Sequence, residues 1–539
     1  ANSLLNARQR KDLAFYLNEF ALERDTMVNN YVQYTDHSTF NISLADPQFS
    51  YRKSDSNFKL RLRPILGAEL SASKKGALLH RWYGAELQMD IAQHLSIWGS
   101  LRDHSWSGNW LSKQVFPSDN ARINGARIHY GASQQQPALL PIPGVQYKEA
   151  TYGGDFSDSK GGISLYSWWG SIAIQRENIQ WGTAYHASNI LSGKAPAVPM
   201  ITLQLTPCRW FQFDYFHAWL VSNVLDSTYY YLENTTNQQE PFRNYRPMNK
   251  FMAANMFTFT PIQQLSVSLG NSIIYAERNV QPAYFIPIAF YKSLDHLLTK
   301  GVRTQNQNSQ MFASISVRPV KHLHLYSSFF VDEVKFSRFK PSNPENNPIS
   351  YLVGFHWSGW PVKGLSLKGE FMRSYIACYI HSIDALTWQS NSYDMGHYMG
   401  DNAQSIYAEL AYRPIRGMLL KMSYTRDTKY NSYAYLRVYR GEDGVIRDGG
   451  ISETLAQTPF DHAIFKNDVL RLDGIYEVHP NMFMSLALEY NNARAFDNLN
   501  TNALPSEDIG DAQYYLDKYM PRYFQGKNFT ISAAFSFGF

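Results

Sequence analysis

Strict alternation of apolar and polar residues is the feature that most constrains the fold of this chain. From Asn528 to the final Phe539, apolar and often aromatic side chains alternate with small or polar ones, and similar segments recur, for example Leu60–Leu70 and Leu265–Ile273. A period of two places the two kinds of side chain on opposite faces of a β-strand. The longest apolar run, Ala283–Phe290, is much shorter than the about 18–20 residues that a membrane helix needs. The pattern therefore predicts strands with one apolar face and excludes membrane crossing by helices.

The composition indicates where such strands would lie. Aromatic residues make up 15% of the 539 residues, yet the mean hydropathy is only −0.37, so the apolar residues are dispersed. Outer-membrane barrels use many aromatic side chains as girdles at both lipid interfaces. The net charge of +5 comes without a block of Lys or Arg, which is not typical of a nucleic-acid-binding protein. We predict an all-β fold, a transmembrane antiparallel β-barrel in the bacterial outer membrane, with no nucleic-acid partner.

Six short proline-containing segments separate pairs of alternating runs. Proline fixes φ and lacks an N–H group, so it ends strands and starts turns. These turns and the C-terminus should share one rim, which we expect to be periplasmic, with long loops at the opposite rim. Counting the runs gives about 18 strands, including two near 147–157 and 162–176 that are joined by a turn at 158–162. The six segments are TPCRW (206–210), TPIQQ (260–264), RPVKH (318–322), WPVKG (360–364), RPIRG (413–417) and HPNMF (479–483).

The N-terminal region has a different periodicity. Leu4–Arg24 repeats apolar residues at helical spacing, which predicts an amphipathic helix. We therefore divide the chain into a periplasmic helix and linker, residues 1–56, and a barrel, residues 57–539. The helix is expected to lie in the periplasm or against the barrel mouth, as a structural cap or as a partner-binding element. Its apolar face consists of Leu13, Tyr16, Leu17, Phe20 and Ala21.

Two segments are candidates for a plug in the lumen. The helix would contribute Leu13, Leu17 and Phe20, and the apolar loop Ala283–Leu298 would fold inward with Phe285 and Phe290. An aqueous channel can pass through a barrel of about eighteen strands, so low conductance would require such a plug.

The chain ends offer two further expectations. The segment Asn2–Lys11 lacks an apolar leader, so Ala1 is expected to lie at or near a processed N-terminus. Cys208 and Cys378 do not form a disulfide framework, and both are expected to be free thiols.

Two segments carry a family resemblance. The first runs from Trp181–Gly182 through Leu191–Ser192 and Ala195–Pro196 to the strand that turns at Pro207, and the second leads to the loop PAYFIPIAFY at 282–291. In these features the chain resembles the capsule-assembly Wzi family of outer-membrane proteins, in the form found in Bacteroidota. The resemblance implies a barrel of about eighteen strands with helices on its periplasmic side. It also implies a non-enzymatic protein that attaches or organises capsular polysaccharide at the cell surface.

Glycan contact is expected at aromatic residues of the external loops. Aromatic rings stack on the apolar faces of sugars, while neighbouring amides and acids bond the hydroxyl groups. Packing and interfacial girdles are the alternative role for any one of these rings. The candidate residues are Trp106, Trp110, Tyr229, Tyr230, Tyr231, Tyr245, Trp388, Tyr393 and Tyr398.

Sequence signatures of catalysis are absent from the chain. There is no HExxH, CxxC, GxSxG or phosphate-binding glycine loop. Asp103, His104 and Ser105 are the residue types of a triad, but neighbours in a strand point to opposite faces and cannot converge. We predict no enzymatic activity, no cofactor and no metal site.

Three functions remain open at this point: a surface-polysaccharide organiser, a general diffusion porin, and an accessory subunit of a larger export or surface complex. The expected partners are outer-membrane lipid, surface polysaccharide, possible protein partners and the barrel assembly machinery. The assembly machinery is expected to read the terminal strand through Phe537 and Phe539.

Overall fold

A computed structural model gives the fold of most of the chain. It describes residues 7–20, 22, 39–43, 48–53, 57–92, 94–111, 122–123, 126–127, 145–150, 153–233, 242–300, 307–431, 439–440, 446–447, 452–498 and 510–538.

Eighteen antiparallel strands in this part of the chain form one closed barrel, which confirms the predicted fold class. Each strand pairs with the next in sequence, and the last strand pairs with the first, from Leu66↔Phe537 to Ser73↔Thr530. The strands are β1 Phe58–Ser73, β2 Gly76–Ile91, β3 Leu95–Ser107, β4 Gly153–Ser167, β5 Gly170–Glu177, β6 Val198–Cys208, β7 Phe211–Leu220, β8 Lys250–Ile262, β9 Leu265–Tyr275, β10 Gln307–Val320, β11 Leu323–Val331, β12 Ile349–Ser358, β13 Leu365–Ser374, β14 Ala403–Tyr412, β15 Met418–Tyr430, β16 Ala463–His479, β17 Met482–Ala495 and β18 Gly526–Phe537.

Shorter elements lie outside the barrel strands. The helices are α1 Ala7–Glu19, α2 Tyr291–Leu298, α3 Ser452–Leu455 and α4 Ala512–Tyr519, with single 3₁₀ turns at Asn109–Leu111, Pro282–Phe285, Phe336–Phe339, Asp384–Leu386 and Arg522–Phe524. Hairpins and short strands occupy Thr39–Ser43, Gln48–Arg52, Arg122–Ile123, Ala126–Arg127, Val145–Ala150, Gln180–Trp181, Leu191–Ser192, Leu225–Glu233, Phe242–Pro247, Gln389–Ser390, Tyr393–Asp394, Tyr439–Arg440 and Ile446–Arg447.

The exterior of the barrel is an apolar band. Leu66, Leu101, Ile174, Leu269 and Leu486 are all exposed on this face, while their sequence neighbours point into the lumen. A closed barrel satisfies all of its backbone hydrogen bonds between strands, and an apolar exterior matches a lipid environment. In the described part of the chain, no helix has the length and apolar character to cross a membrane.

The two rims of the barrel differ as the sequence predicts. All six proline-containing segments join successive strands at one rim, where β18 also ends, and we name it the turn rim. The long connections emerge at the opposite rim, which we name the loop rim. Assignment of the turn rim to the periplasm stays a prediction.

The predicted turn at 158–162 is wrong. β4 runs without a break through these residues, and the chain turns at Trp168–Trp169 instead. A Cβ atom on Gly161 would lie 2.7 Å from the carbonyl oxygen of Trp98, and one on Gly162 would lie 2.5 Å from the Cβ of Gln175. These glycines therefore mark a close approach between neighbouring strands, where a side chain does not fit.

Part of the predicted linker is a β-hairpin. Thr39–Ser43 pairs with Gln48–Arg52, and the second of these strands pairs with the start of β1, from Phe49↔Leu62 to Arg52↔Lys59. The barrel sheet therefore continues past its closing seam at the turn rim.

Two connections from the loop rim fold into the lumen and pack together. They are residues 182–197, between β5 and β6, and residues 375–402, between β13 and β14. The Asn189 side-chain amide donates to the backbone oxygens of two barrel strands, and Trp388 Nε1 donates to the Ile190 oxygen at 3.1 Å. We call this assembly the inner core, and it fills the lumen beside strands β6 to β13. Cys378 is buried in it as a free thiol, and Cys208 at the end of β6 is also free.

Helix α1 lies against the inner wall at the turn rim. Arg318 of β10 pairs with Asp12 at 2.5 Å, and Arg413 donates to Glu19 at 3.1 Å. Phe15 is fully buried between these pairs. The Tyr16 hydroxyl reaches Tyr185 of the inner core at 3.3 Å, so the helix and a connection from the opposite rim meet inside the barrel.

The docked face of α1 differs from the predicted one. Leu13, Leu17 and Phe20 remain 42%, 37% and 40% exposed, whereas Asp12, Phe15, Asn18 and Glu19 contact the barrel. The inner wall here is cationic, through Arg318 and Arg413, so the docked face combines Asp12 and Glu19 with the buried Phe15. Leu13 and Leu17 therefore do not pack into the lumen wall, whereas Phe20 contacts it through the Arg413 guanidinium, which lies 4.3 Å from the ring centre.

The loop that we predicted to fold inward lies on the outside of the barrel, so the inward-plug prediction for Phe285 and Phe290 is wrong. Residues 276–300, which we call the strap, pack against the exterior faces of β7, β8 and β9. Tyr284 and Tyr291 are fully buried against Tyr215, Ala253 and Ile273. Phe285 stacks on His217 of the exterior wall with ring centres 4.4 Å apart. The apolar run packs there because the exterior of these strands already presents aromatic and aliphatic side chains.

Candidate functional site

A hairpin at the loop rim presents exposed tyrosines. Leu225–Glu233 pairs with Phe242–Pro247, and Tyr230 lies directly opposite Tyr245. Tyr229, Tyr230 and Tyr245 are 49%, 41% and 40% exposed. We call this element the rim hairpin. Tyr231 pairs with Asn244 in the same hairpin, and its side chain lies outside the described residues.

Charged and hydroxyl groups surround these rings. The Arg246 guanidinium lies 5.0 Å from the centre of the Tyr229 ring, and its Nη1 donates to the Tyr229 hydroxyl at 3.2 Å. The Thr228 hydroxyl and backbone N–H both donate to Asp226, which holds the pKa of that carboxyl below its ordinary value. The rim hairpin therefore combines partly exposed tyrosine rings with a cation and an anion.

A polar pocket of about 220 Å³ opens at the base of the rim hairpin. Lys250 is buried there and donates from Nζ to the Thr387 oxygen at 2.7 Å. Asn223 donates to the Ser392 hydroxyl across the pocket. We call it the rim pocket, and its lining residues are Val221, Ser222, Asn223, Val224, Lys250, Asp384, Thr387, Gln389 and Ser392.

The rim pocket is held by both neighbouring elements. Val221 and Val224 come immediately before the rim hairpin, and the Met248 N–H donates to the Val224 oxygen after it. The Asn391 N–H donates to the Val221 oxygen, which ties the 375–402 connection to the same edge. Hydroxyl, amide, ammonium and carboxylate groups in one concave site suit a ligand with many hydroxyl groups.

Three of the predicted glycan residues pack inside the barrel instead of being exposed. Trp388 is fully buried in the inner core, Tyr393 is buried beside it, and Tyr398 is partly buried against His186. Tyr398 donates to Asp427 of β15 at 2.9 Å. Their ring faces are covered because the 375–402 connection folds into the lumen, so these residues pack the core and are withdrawn from the glycan-contact set.

Trp106 and Trp110 also pack against protein. Trp106 contacts Phe156 edge to face with ring centres 5.8 Å apart, in a cluster on the inner wall that includes His80 and His104. Trp110 is buried and stacks on Tyr523 at 4.7 Å. Of the nine predicted aromatic residues, the described side chains of Tyr229, Tyr230 and Tyr245 are the exposed ones.

Sequence reasoning missed the polar partners of these tyrosines. Arg246, Asp226 and Lys250 flank the aromatic run within a few residues, so their proximity to the tyrosines could be inferred from the sequence. Gln389 and Ser392 reach the same place only because the 375–402 connection turns back to the rim, and no local pattern indicates that.

The triad-like residues of β3 point to opposite sides, as predicted. Asp103 accepts a hydrogen bond from Tyr83 on the exterior at 2.6 Å. His104 lies on the inner wall, with one ring nitrogen 2.9 Å from a ring nitrogen of His80.

Phe537 is buried at the closing seam, where it pairs with Leu66 and Met482. Phe539 lies outside the described residues. The role of both residues in assembly stays a prediction.

Comparison with solved structures finds outer-membrane barrels of low similarity. One is Wzi of Escherichia coli, an outer membrane protein involved in group 1 capsule assembly and described as a carbohydrate-binding β-barrel. It shares 10% identity, with a TM-score of 0.46, over 88% of this chain and 84% of its own. OccK8 (OprE) of Pseudomonas aeruginosa shares 7% identity, with a TM-score of 0.42, over 89% and 97%. OprD of the same organism shares 10% identity, with a TM-score of 0.39, over 89% and 94%.

No protein-family model and no curated protein matches the chain. Structural similarity at this level assigns no family, and it does not decide between capsule assembly and transport. The resemblance to the Wzi family stays a prediction, and the structure establishes a closed antiparallel β-barrel of eighteen strands in the described part of the chain.

Proposed function

We propose that this protein is a non-enzymatic outer-membrane barrel that binds and organises surface polysaccharide at its loop rim. The observation that carries the proposal is the rim hairpin, where three exposed tyrosines stand beside the hydroxyl- and amide-lined rim pocket. Exposed aromatic rings supply apolar contact at low entropic cost, and the neighbouring polar groups supply hydrogen bonds. Sugars present both kinds of surface.

The inner core, which fills part of the lumen, supports a binding role. The inner core occupies the barrel beside β6 to β13, and α1 contacts it from the turn rim through Tyr16 and Tyr185. Loops folded inward in this way leave the ligand-binding groups at the rim instead of along a pore.

A general diffusion porin is the second candidate, and the inner face of β1 and β2 favours it. Arg61 and Gln88 are exposed there and hydrogen-bonded to each other at 2.8 Å, and Arg63 pairs with Glu86 at 3.4 Å. Exposed charged groups on an inner wall are what a water-filled channel would require.

A binding measurement tests the polysaccharide proposal. Replacing Tyr229, Tyr230 and Tyr245 by Ala should weaken binding of purified surface polysaccharide at least about tenfold, a loss of about 1.4 kcal/mol. Calorimetry on the folded, detergent-solubilised barrel would measure it. The matched control replaces Tyr412, Tyr476 and Tyr490, which are similarly exposed on the barrel exterior, and should leave the affinity unchanged.

Two further measurements, of thiol labelling and of conductance, complete that experiment. A thiol placed at Leu232 of the rim hairpin should react with an impermeant reagent on intact cells, which establishes that the loop rim faces outward. In planar bilayers, the wild-type barrel should give only small conductance steps. Unchanged affinity in the tyrosine variant, together with large stable open steps, would reject polysaccharide binding and leave the porin.

A further inference from the structure

The strap covers polar side chains on a wall that otherwise faces lipid. Asn255 of β8 and Asn271 of β9 lie directly opposite each other on the exterior face. The same face carries Phe259 and Leu269 toward the turn rim, both of them exposed. Asn255 is fully buried and Asn271 is nearly so, because the strap lies over them.

The position of these amides places the strap at membrane depth. Asn271 is the seventh residue of β9 counted from the turn rim, which is about 20 Å along a strand. At the usual barrel tilt this corresponds to a height of about 15 Å. The apolar band of an outer-membrane barrel is about 25 Å tall, so Asn255 and Asn271 lie near its middle.

The two amides bind the irregular backbone of the strap. Asn255 Nδ2 donates to the oxygens of Pro287 and Ala289, each at 2.8 Å, and the Tyr291 N–H donates to Asn271 Oδ1 at 2.9 Å. On the neighbouring strand β7, directly opposite Asn255, the Tyr215 hydroxyl donates to the Tyr284 oxygen at 3.1 Å. Irregular backbone is tolerated at membrane depth only where its polar groups are satisfied by protein. The amides of the wall meet that requirement.

The outer surface of the strap is apolar between Pro282 and Phe290. Ile286, Ile288 and Phe290 are exposed there, whereas α2 exposes Leu297 and Leu298 together with Ser293 and His296. This surface is continuous with the apolar exterior of the neighbouring strands, which includes Leu269 and Ile315. We propose that residues 282–291 of the strap lie within the membrane, where their outer surface contacts lipid acyl chains and their inner surface shields Asn255 and Asn271 from them.

Spin-label accessibility tests the proposed depth. A nitroxide is attached at Ile288→Cys in a Cys208→Ser background, since Cys378 is buried, and the barrel is reconstituted into phospholipid vesicles. The label should be relaxed strongly by oxygen, which partitions into lipid, and weakly by a water-soluble nickel chelate. Leu269→Cys supplies the lipid-exposed reference, and Leu232→Cys in the rim hairpin supplies the water-exposed one.

Two outcomes at Ile288 would overturn the proposal. A label as accessible to the nickel chelate as that at Leu232 would place the strap in water. A label shielded from both reagents would show that protein, such as a second copy of the chain, covers the strap.

A substitution in the wall tests the role of the amides. Asn255→Leu removes the donor to Pro287 and Ala289, so the strap should loosen and the nickel accessibility at Ile288 should rise severalfold. Ser327→Leu is the matched control, because Ser327 lies on the same exterior face beyond the strap, opposite Ile315. Equal nickel accessibility of the Ile288 label in the two variants, with both barrels folded, would contradict the proposed function of Asn255.

Discussion

Strands β8 and β9 differ from β1 and β2 in how many of their faces are covered. In β8 every residue from Lys250 to Met256 is buried, because the inner core covers one face and the strap covers the other. β1 and β2 have few buried residues on either face. One barrel therefore contains a wall packed like the interior of a soluble protein and a wall with the two-sided exposure of a simple membrane sheet. Residue type alone does not distinguish an apolar face against lipid from one against protein.

The largest expected effect follows from the inner core. Trp388→Ala removes the fully buried indole that packs on Phe330 and donates to Ile190, and the loss should be about 3–5 kcal/mol in the free energy of unfolding. Gln88→Ala on the exposed inner wall of β2 should change the free energy of unfolding by less than about 0.5 kcal/mol. Urea unfolding followed by heat-modifiable gel mobility measures both. Similar small losses in the two variants would remove the distinction between the walls.

The next effect concerns how α1 is held. Glu19→Gln removes the buried negative charge that faces Arg413 and should weaken docking of the helix by about 3 kcal/mol. Amide exchange of residues 12–19 should then accelerate by about two orders of magnitude. Leu17→Ala alters the exposed apolar face and should leave exchange nearly unchanged. Faster exchange in Leu17→Ala than in Glu19→Gln would restore the apolar docking predicted from the sequence.

The smallest effects compare two glycines. A Cβ atom on Gly270 of β9 would lie 2.2 Å from the Phe312 ring and 2.4 Å from the Asn255 carbonyl oxygen, so Gly270→Ala should cost about 1–3 kcal/mol. A Cβ on Gly99 of β3 meets only the Lys160 oxygen at 3.8 Å. Gly99→Ala should therefore stabilise the protein by about 0.4–1 kcal/mol, because alanine lowers the conformational entropy of the unfolded chain. The same unfolding assay measures both. Losses of equal size would show that β3 is packed as tightly as β9.

Sequence patterns predicted the barrel well because they are local. Period-two alternation gave the number of strands, and proline gave six of the turns at the turn rim. The turn at Trp168–Trp169 contains no proline, and Gly161 and Gly162 mark strand contact, so the same rules misplaced this turn.

The site was only partly predictable from the sequence. Tyr229, Tyr230 and Tyr245 lie in a hairpin that projects from the rim, and local composition indicated them. Trp388 is also flanked by polar residues in the sequence, yet the long connection that carries it folds into the lumen. The strap was misplaced for a related reason, since an apolar run packs equally well against either face of the wall. The direction in which a long connection folds depends on distant partners such as Asn189 and Asn255.

The strap also bears on the order in which the barrel forms. Its contacts are short in sequence, since Asn271 meets Tyr291 across 20 residues and Asn255 meets Ala289 across 34. The closing seam joins Ser71 to Ser532 across 461 residues. The entropy lost in closing a loop grows with its length, and local contacts form early in folding. The strap is therefore expected to be seated while the sheet is still open, so that the chain enters the bilayer with its amides already covered and the seam closes last.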